Sequence, residues 1–293
     1  MNHKMTSIQQ NLFVLPLADP QANLENVGGK GASLARLANA GLPVPSGFHV
    51  TTHAYRLFVA ENELQPRILQ TLQDADPNQP ETLEAASKRI HELFLQAHIP
   101  PEIAGAVAQA YAALPGGQPA VAVRSSATAE DLPELSFAGQ QATFLNVHDT
   151  APLLEAVQRC WASLWTARAI SYRMLHHIDQ NAVSLAVVVQ MLVPADAAGI
   201  AFTANPVNGQ RDQVTINAAW GLGEAVVSGQ VTPDALVIDK AAGNVASRET
   251  AEKRVMTVRV DGSTREQPVP EALRDAPGLS DAQAVNLARL CQQ

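Results

Sequence analysis

The strongest constraint in this chain is a change of hydrophobic period near Ala120. Before it, apolar residues recur at helical spacing. Leu34, Leu37 and Ala38 share one face of "GGKGASLARLANAGLPVP", Gly41 supplies a stop, and Pro43 and Pro45 bar continuation. Further helical patterns run at about Thr52 to Asn62, Glu81 to Ala97 and Pro101 to Leu114, after a short strand-like "LFVLPL". From Ala120 onward, "AVAVRS", "ATFLNV", "SLAVVVQMLV", "AGIAFTA", "QVTINAA", "ALVIDK" and "RVMTVRV" read as strands. One long helical stretch, Thr150 to about Ile178, interrupts them, and "DGSTREQPVPEALRDAPGLS" reads as a surface loop. The pattern predicts an α+β fold: a helix-rich N-terminal part followed by mixed β-sheets.

Composition narrows the partners. The 293 residues are 46% apolar and 16% charged, a globular balance with room for a sizeable core. A formal charge of −8 with no Lys/Arg-rich run argues against nucleic acid. The longest apolar runs are far short of a membrane span, and "MNHKMTSIQQ" lacks the apolar core of a signal peptide, so a cytoplasmic protein with no membrane partner is expected. Cys160 and Cys291 stand far apart with no CxxC, which suggests neither zinc nor a disulfide framework, and no metal site is assigned.

Four stretches carry chemistry. In "VGGKGAS", Val27 to Ser33, glycines flanking Lys30 let the backbone approach a ligand, and the helix that follows aims its N-terminal amides at the same spot. The spacing is neither the P-loop nor the dinucleotide fingerprint, and a solvated lysine at a helix entry is the plain alternative. Arg124 ends an apolar strand at the head of "RSSATAED". A permanent charge there needs an anion: Glu130 or Asp131 as an internal partner, or a ligand phosphate with the small-residue loop folding over it. "VVVQMLVPADAAG" can offer backbone polar groups beside apolar side chains, as an adenine ring requires, or can be a core strand. "INAAWGLGEAVVSGQVTPDALV" sets Glu224 among Gly221, Gly223 and Gly229, suited to a metal or ribose contact, though a simple helix cap explains it as well.

Taken together, "VGGKGASLARLANAGLPVPSGF", "AVRSSATAEDLPELSFAGQQATFLNV", "VVQMLVPADAAGIAFTANPVNG" and "INAAWGLGEAVVSGQVTPDALVIDK" resemble, in order, the N-terminal nucleotide-binding domain of phosphoenolpyruvate synthases and their relatives, the rifampicin phosphotransferases and pyruvate phosphate dikinases. The resemblance implies an ATP-grasp fold whose two lobes hold ATP, here residues 1–182 with the lysine and arginine loop and 183–293 as an incomplete second lobe. It implies that Lys30 contacts phosphate, that Arg124 binds the transferring phosphoryl group, and that Ser125 to Gly139 is the loop approaching the phosphates. It further implies that Gln190, Met191 and Val193 line the adenine hinge, with Asp196 toward the ribose; Glu224 stays a candidate cofactor contact on the reading of its own glycine-rich turn. The family's "FTRNP" reads "FTANP" here, with Ala204 where that cation would stand.

The same resemblance implies partners. In the family a phosphohistidine on a mobile domain, in a Gly-rich Ser/Thr-His-Ala segment, relays the phosphoryl group to an acceptor domain. None of the eight histidines fits: His49 and His53 lack a third ligand, and His176-His177 have no glycines around them. The strand pair like "QDIEWA" and "IVQSRP", which supplies the Mg²⁺-binding Glu and Gln and another arginine, is absent as well. The final stretch has an S-x-x-Q capping box at Ser280 to Gln283 and an apolar face of Ala284, Leu287, Ala288 and Cys291 that is expected to lack a cover. The expectation is thus a fragment: the ATP-binding part of an ATP- and Mg²⁺-dependent dikinase-type phosphotransferase, inactive by itself, with pyruvate or rifampicin as acceptor. A stand-alone, non-catalytic ATP-binding module is the alternative.

Overall fold

The computed structural model describes residues 12–128 and 142–293. The chain divides into two compact units, one ending at Leu192 and the other beginning at Val193. The sequence-based division at 182/183 falls ahead of a strand that sits at the centre of the first unit.

That strand, β5 (Leu185–Met191), is buried along nearly its whole length, as its unbroken apolar run requires. It lies between β2 (Gly47–Val50) and β3 (Val121–Ala127), and β1 (Val14–Pro16) and β4 (Thr143–Val147) complete a five-stranded sheet of order β1-β2-β5-β3-β4. Every strand pair in it is antiparallel, which corrects the expectation of mixed sheets. The helical excursion between β2 and β3 does return the chain in the same direction, but β5 enters between them and pairs antiparallel with both.

Alternation along the strands gives the sheet two buried faces. Val121, Val123, Leu185, Val187 and Val189 point into a core shared with helices α2 (Thr52–Glu61), α3 (Leu64–Leu72), α4 (Pro80–Gln96), α5 (Pro101–Ala112), α6 (Thr150–Ala162) and α7 (Ala167–Leu175). Each such fully buried Val or Leu stabilises the unit by roughly 1.5–3 kcal/mol. The intervening Ala122, Ser126, Ala186 and Val188 are buried on the opposite face, where α1 (Leu24–Asn39) packs on β3 and β5. The long helix expected over 150–178 is in fact two. A 3-10 turn at Ser163–Trp165 ends α6, and the Thr166 side chain accepts from the Ala169 amide to start α7 afresh.

In the second unit, β6 (Ala197–Phe202), β7 (Gln213–Trp220), β8 (Asp234–Asp239) and β9 (Asn244–Glu249) form an antiparallel sheet in chain order. A short helix, α8 (Glu224–Val227), follows β7. The segment expected to be a loop instead contains β11 (Ser263–Pro268), hairpinned to β10 (Val255–Val260), and α9 (Glu271–Arg274). Asp261-Gly262 is a two-residue hairpin turn in which Gly262 takes a φ of 67°, a value that glycine adopts without steric cost.

The final helix, α10 (Asp281–Leu290), carries the expected capping box at Ser280 and Gln283. Its apolar face is covered: Ala284 and Ala288 are buried against Val214, Ile216, Leu236 and Ile238, with Leu287 and Cys291 packed alongside. Contrary to expectation, the sheet of the same unit supplies the partner surface, because β7 and β8 present a row of apolar side chains at that face.

Candidate functional site

Asn23 starts α1, its side chain accepting from the Glu25 and Asn26 amides while Asn26 reaches back to the Asn23 backbone. The helix then breaks at Gly28, whose φ of 71° and ψ of 175° are outside the helical range, and resumes to carry Lys30. Such a φ favours glycine. A Cβ on Gly28 would lie 2.3 Å from the Ser126 carbonyl oxygen, so closeness to β3 excludes any side chain as well.

Lys30 is half-buried and its Nζ donates to the Ser125 carbonyl at 3.0 Å. The glycine-flanked lysine is therefore tied to the residue next to Arg124. Arg124 lies on β3 opposite Thr143 of β4 and Val188 of β5, on the face that α1 covers. Its guanidinium has no hydrogen-bond or ion-pair partner among the described residues, and burial alone holds its pKa below the usual arginine value. Two cations, one unpaired among the described residues, thus converge on one strand in a chain of net charge −8. A half-buried guanidinium in that state is disposed to take an anion, and phosphate oxygens match its fork.

The helix amides behave differently from expectation. The Gly31 amide donates to Ser126 Oγ at 3.0 Å, so at least this N-terminal donor is engaged by the protein itself. Ser125 is buried, with its amide on the Ala142 carbonyl at 3.0 Å. Gly139, and the carboxylates of Glu130 and Asp131, lie outside the described residues.

Gln190 and Met191 belong to the first unit. Gln190 is buried on the α1 face and its Nε2 donates to the Pro45 carbonyl at 3.1 Å, which makes its side chain a strut between β5 and the turn before β2. The Met191 and Leu192 amides donate to Ser46 and Ala120 carbonyls at 2.8 and 2.9 Å. Val193 is the first residue after β5 whose N–H has no partner among the described residues, and its side chain is exposed. A free donor beside an apolar side chain is what an adenine edge uses.

Val193, Asp196 and Glu224 belong to the second unit. Asp196 is exposed and its carbonyl accepts from the Gly221 amide at 2.8 Å. Gly221, at φ 82°, is pinned from the other side too, because a Cβ there would lie 2.4 Å from the Thr257 carbonyl, which accepts from the Leu222 amide at 2.8 Å. Glu224 opens α8 with an exposed carboxylate. Among the described residues no three His, Cys, Asp or Glu side chains gather to hold a metal ion, and no helix is long and apolar enough to cross a membrane. Sequence reasoning missed Ser126, whose hydroxyl joins β3 to α1; the adjacent Ser-Ser pair was visible, but which of the two faces α1 depends on strand parity.

A family model described as "Pyruvate phosphate dikinase, AMP/ATP-binding domain" matches residues 24–293. The chain is 45% identical over 267 residues to a probable phosphoenolpyruvate synthase of Methanothermobacter thermautotrophicus, covering 90% of this chain and 39% of that protein. It is 46% identical over 281 residues to a rifampicin phosphotransferase of a Streptomyces species, covering 95% of this chain and 32% of the relative. A phosphoenolpyruvate synthase of Pyrococcus furiosus is 43% identical over 269 residues, covering 80% and 33%. The chain therefore spans well under half the length of the curated relatives it matches.

Proposed function

Since this chain belongs to the pyruvate phosphate dikinase AMP/ATP-binding domain family, we propose that it is the ATP-binding part of a dikinase-type phosphotransferase with two ATP-grasp lobes. The observation that carries the reading is the junction of Lys30 and Arg124 on β3. Lys30 meets the triphosphate as a point charge, and Arg124 offers two parallel donors to the phosphoryl group that leaves. The strand and helix that carry both charges are in place before the nucleotide arrives, so stabilising the charge that develops during transfer costs little backbone reorganisation. The Val193 N–H and side chain read adenine; Gln190 and Met191 end β5 on the hinge, anchored to Pro45 and Ser46 of their own unit. Asp196 serves the ribose and Glu224 a further polar contact.

A bound Mg²⁺ would supply charge that neutralises the phosphates; among the described residues no three His, Cys, Asp or Glu side chains gather to hold it. The phosphoryl group then passes to a histidine and an organic acceptor on other domains of the whole protein. Phosphoenolpyruvate synthase relatives favour pyruvate as that acceptor, and the Streptomyces relatives favour rifampicin as the second reading. Two free thiols suit a reducing, cytoplasmic setting. Calorimetric titration of this chain with ATP tests the reading: saturable binding that Lys30→Ala and Arg124→Met each weaken supports it, and no binding, or binding indifferent to both, ends it.

A further inference from the structure

We infer that Ser126 is a positioning residue: it caps the lysine-bearing part of α1 from the neighbouring strand and so sets where Lys30 stands relative to Arg124. The inference rests on the nucleotide reading above. A helix that restarts after a break needs an oxygen for its first amides, and the residue at the break ordinarily supplies it from its own side chain. Gly28 holds that place and has no side chain. The oxygen comes instead from β3. Ser126 is completely buried, and its hydroxyl donates to the Val27 carbonyl at 2.7 Å while accepting from the Gly31 amide at 3.0 Å.

One hydroxyl thereby closes both sides of the break, on the carbonyl before Gly28 and on the amide three residues after it. Its seat also explains the glycine, since a Cβ on Gly28 would lie 2.5 Å from Ser126 Oγ. Lys30 stands inside this bracket, and its Nζ is drawn to the carbonyl of Ser125, the residue before the cap. Arg124, Ser125 and Ser126 are consecutive on β3, so the position of the lysine and that of the arginine are set by one rigid strand. It follows that the Gly31 amide is engaged by the protein and is not offered to the triphosphate.

The test uses this chain and compares ATP with adenosine, which lacks the phosphates that Lys30 would meet. Ser126→Ala is expected to weaken ATP binding about five- to tenfold while leaving adenosine affinity unchanged. The double variant with Lys30→Ala is expected to bind ATP no more weakly than Lys30→Ala alone, because both changes remove the same contact. Wild-type ATP affinity in Ser126→Ala, or equal loss for ATP and adenosine, overturns the inference. Wild-type chain that binds ATP no better than adenosine overturns the nucleotide reading instead. Should Ser126→Ala fail to fold, hydrogen exchange in the wild type decides: the Gly31 amide is expected to exchange slowly in the free chain and to gain no protection with ATP. Fast exchange in the free chain, or strong protection added by ATP, refutes the cap.

Discussion

Replacing Arg124 by Met separates what the side chain costs the free protein from what it contributes to binding. In the free chain the guanidinium is half-buried without an ion-pair partner among the described residues, and desolvation is the sole cause of its lowered pKa. An unpaired, partly desolvated charge is a net burden that an apolar side chain of similar length removes. The first unit of Arg124→Met is therefore expected to be more stable by about 1 kcal/mol, the range typical when a strained functional position is relaxed. For a domain of this size that raises the melting temperature by about 2–4 °C. In the ATP complex the balance reverses: hydrogen bonds to a charged group contribute about 1.5–3 kcal/mol. Loss of one such bond lowers affinity roughly 10- to 150-fold. Thermal melts of wild type and variant over an ATP titration read both quantities from one data set. A variant that melts lower without ligand yet keeps the full ATP-induced rise would show that Arg124 is a structural strut, and the electrostatic argument would be wrong.

The same apparatus checks three further expectations. Gly28→Ala should cost more than about 2 kcal/mol, since it adds overlap with the Ser126 carbonyl at 2.3 Å to the strain of a positive φ, whereas Gly41→Ala, at φ 80° with nothing within 4 Å, should show only the strain; equal urea midpoints for the two would refute the close approach. Lys253→Met should destabilise the second unit by about 3–5 kcal/mol, because it leaves the Asp234 carboxylate buried with its Ala251 and Gly278 amide bonds but without the ammonium 2.5 Å away; a wild-type urea midpoint for that unit would count against the pair. His49 is buried with Nδ1 lacking a partner among the described residues, and burial lowers its pKa from 6.5, so the unfolded chain binds more protons and stability falls as pH drops below about 6.5. His49→Gln should flatten that part of the urea-midpoint profile, and an unchanged slope would assign it to other groups.

How legible each part was in the sequence follows from how local its physics is. β5 was plain because a strand covered on both faces has to be apolar at every position, and α10 was plain because Ser280 and Gln283 satisfy each other across three residues. β9, "NVASRE", is a largely exposed strand with no apolar row, and β11, "STREQP", pairs among the described residues with β10 alone, so neither carried a hydrophobic signal. Of that hairpin only "RVMTVRV", which is β10, was read as a strand. The antiparallel character of the first sheet was hidden, since it depends on β5 entering between strands that precede it by more than fifty residues. Lys30 and Arg124 stood out as charges in small-residue surroundings, but the bond joining their neighbourhoods spans 95 positions, and no spacing rule reaches that far. The cover over α10 was misjudged for the same reason, because β7 and β8 reach it only through the tertiary fold.

On the proposed reading, holding Lys30 of α1 against the strand that carries Arg124 also accounts for how an acidic chain attracts a highly charged anion. A net charge of −8 spread over an exposed surface is screened within about 10 Å at ordinary ionic strength, so it opposes ATP weakly at any one point. Lys30 and Arg124 are half-buried, where screening is weaker and each charge acts more strongly on a nearby phosphate. β3 is paired along its length with β5, its first half is paired with β4 as well, and α1 is fastened to it through Ser125 and Ser126. On the proposed reading the backbone that carries both cations is therefore set by the packing of the sheet during folding, and little of it has to rearrange when phosphates arrive.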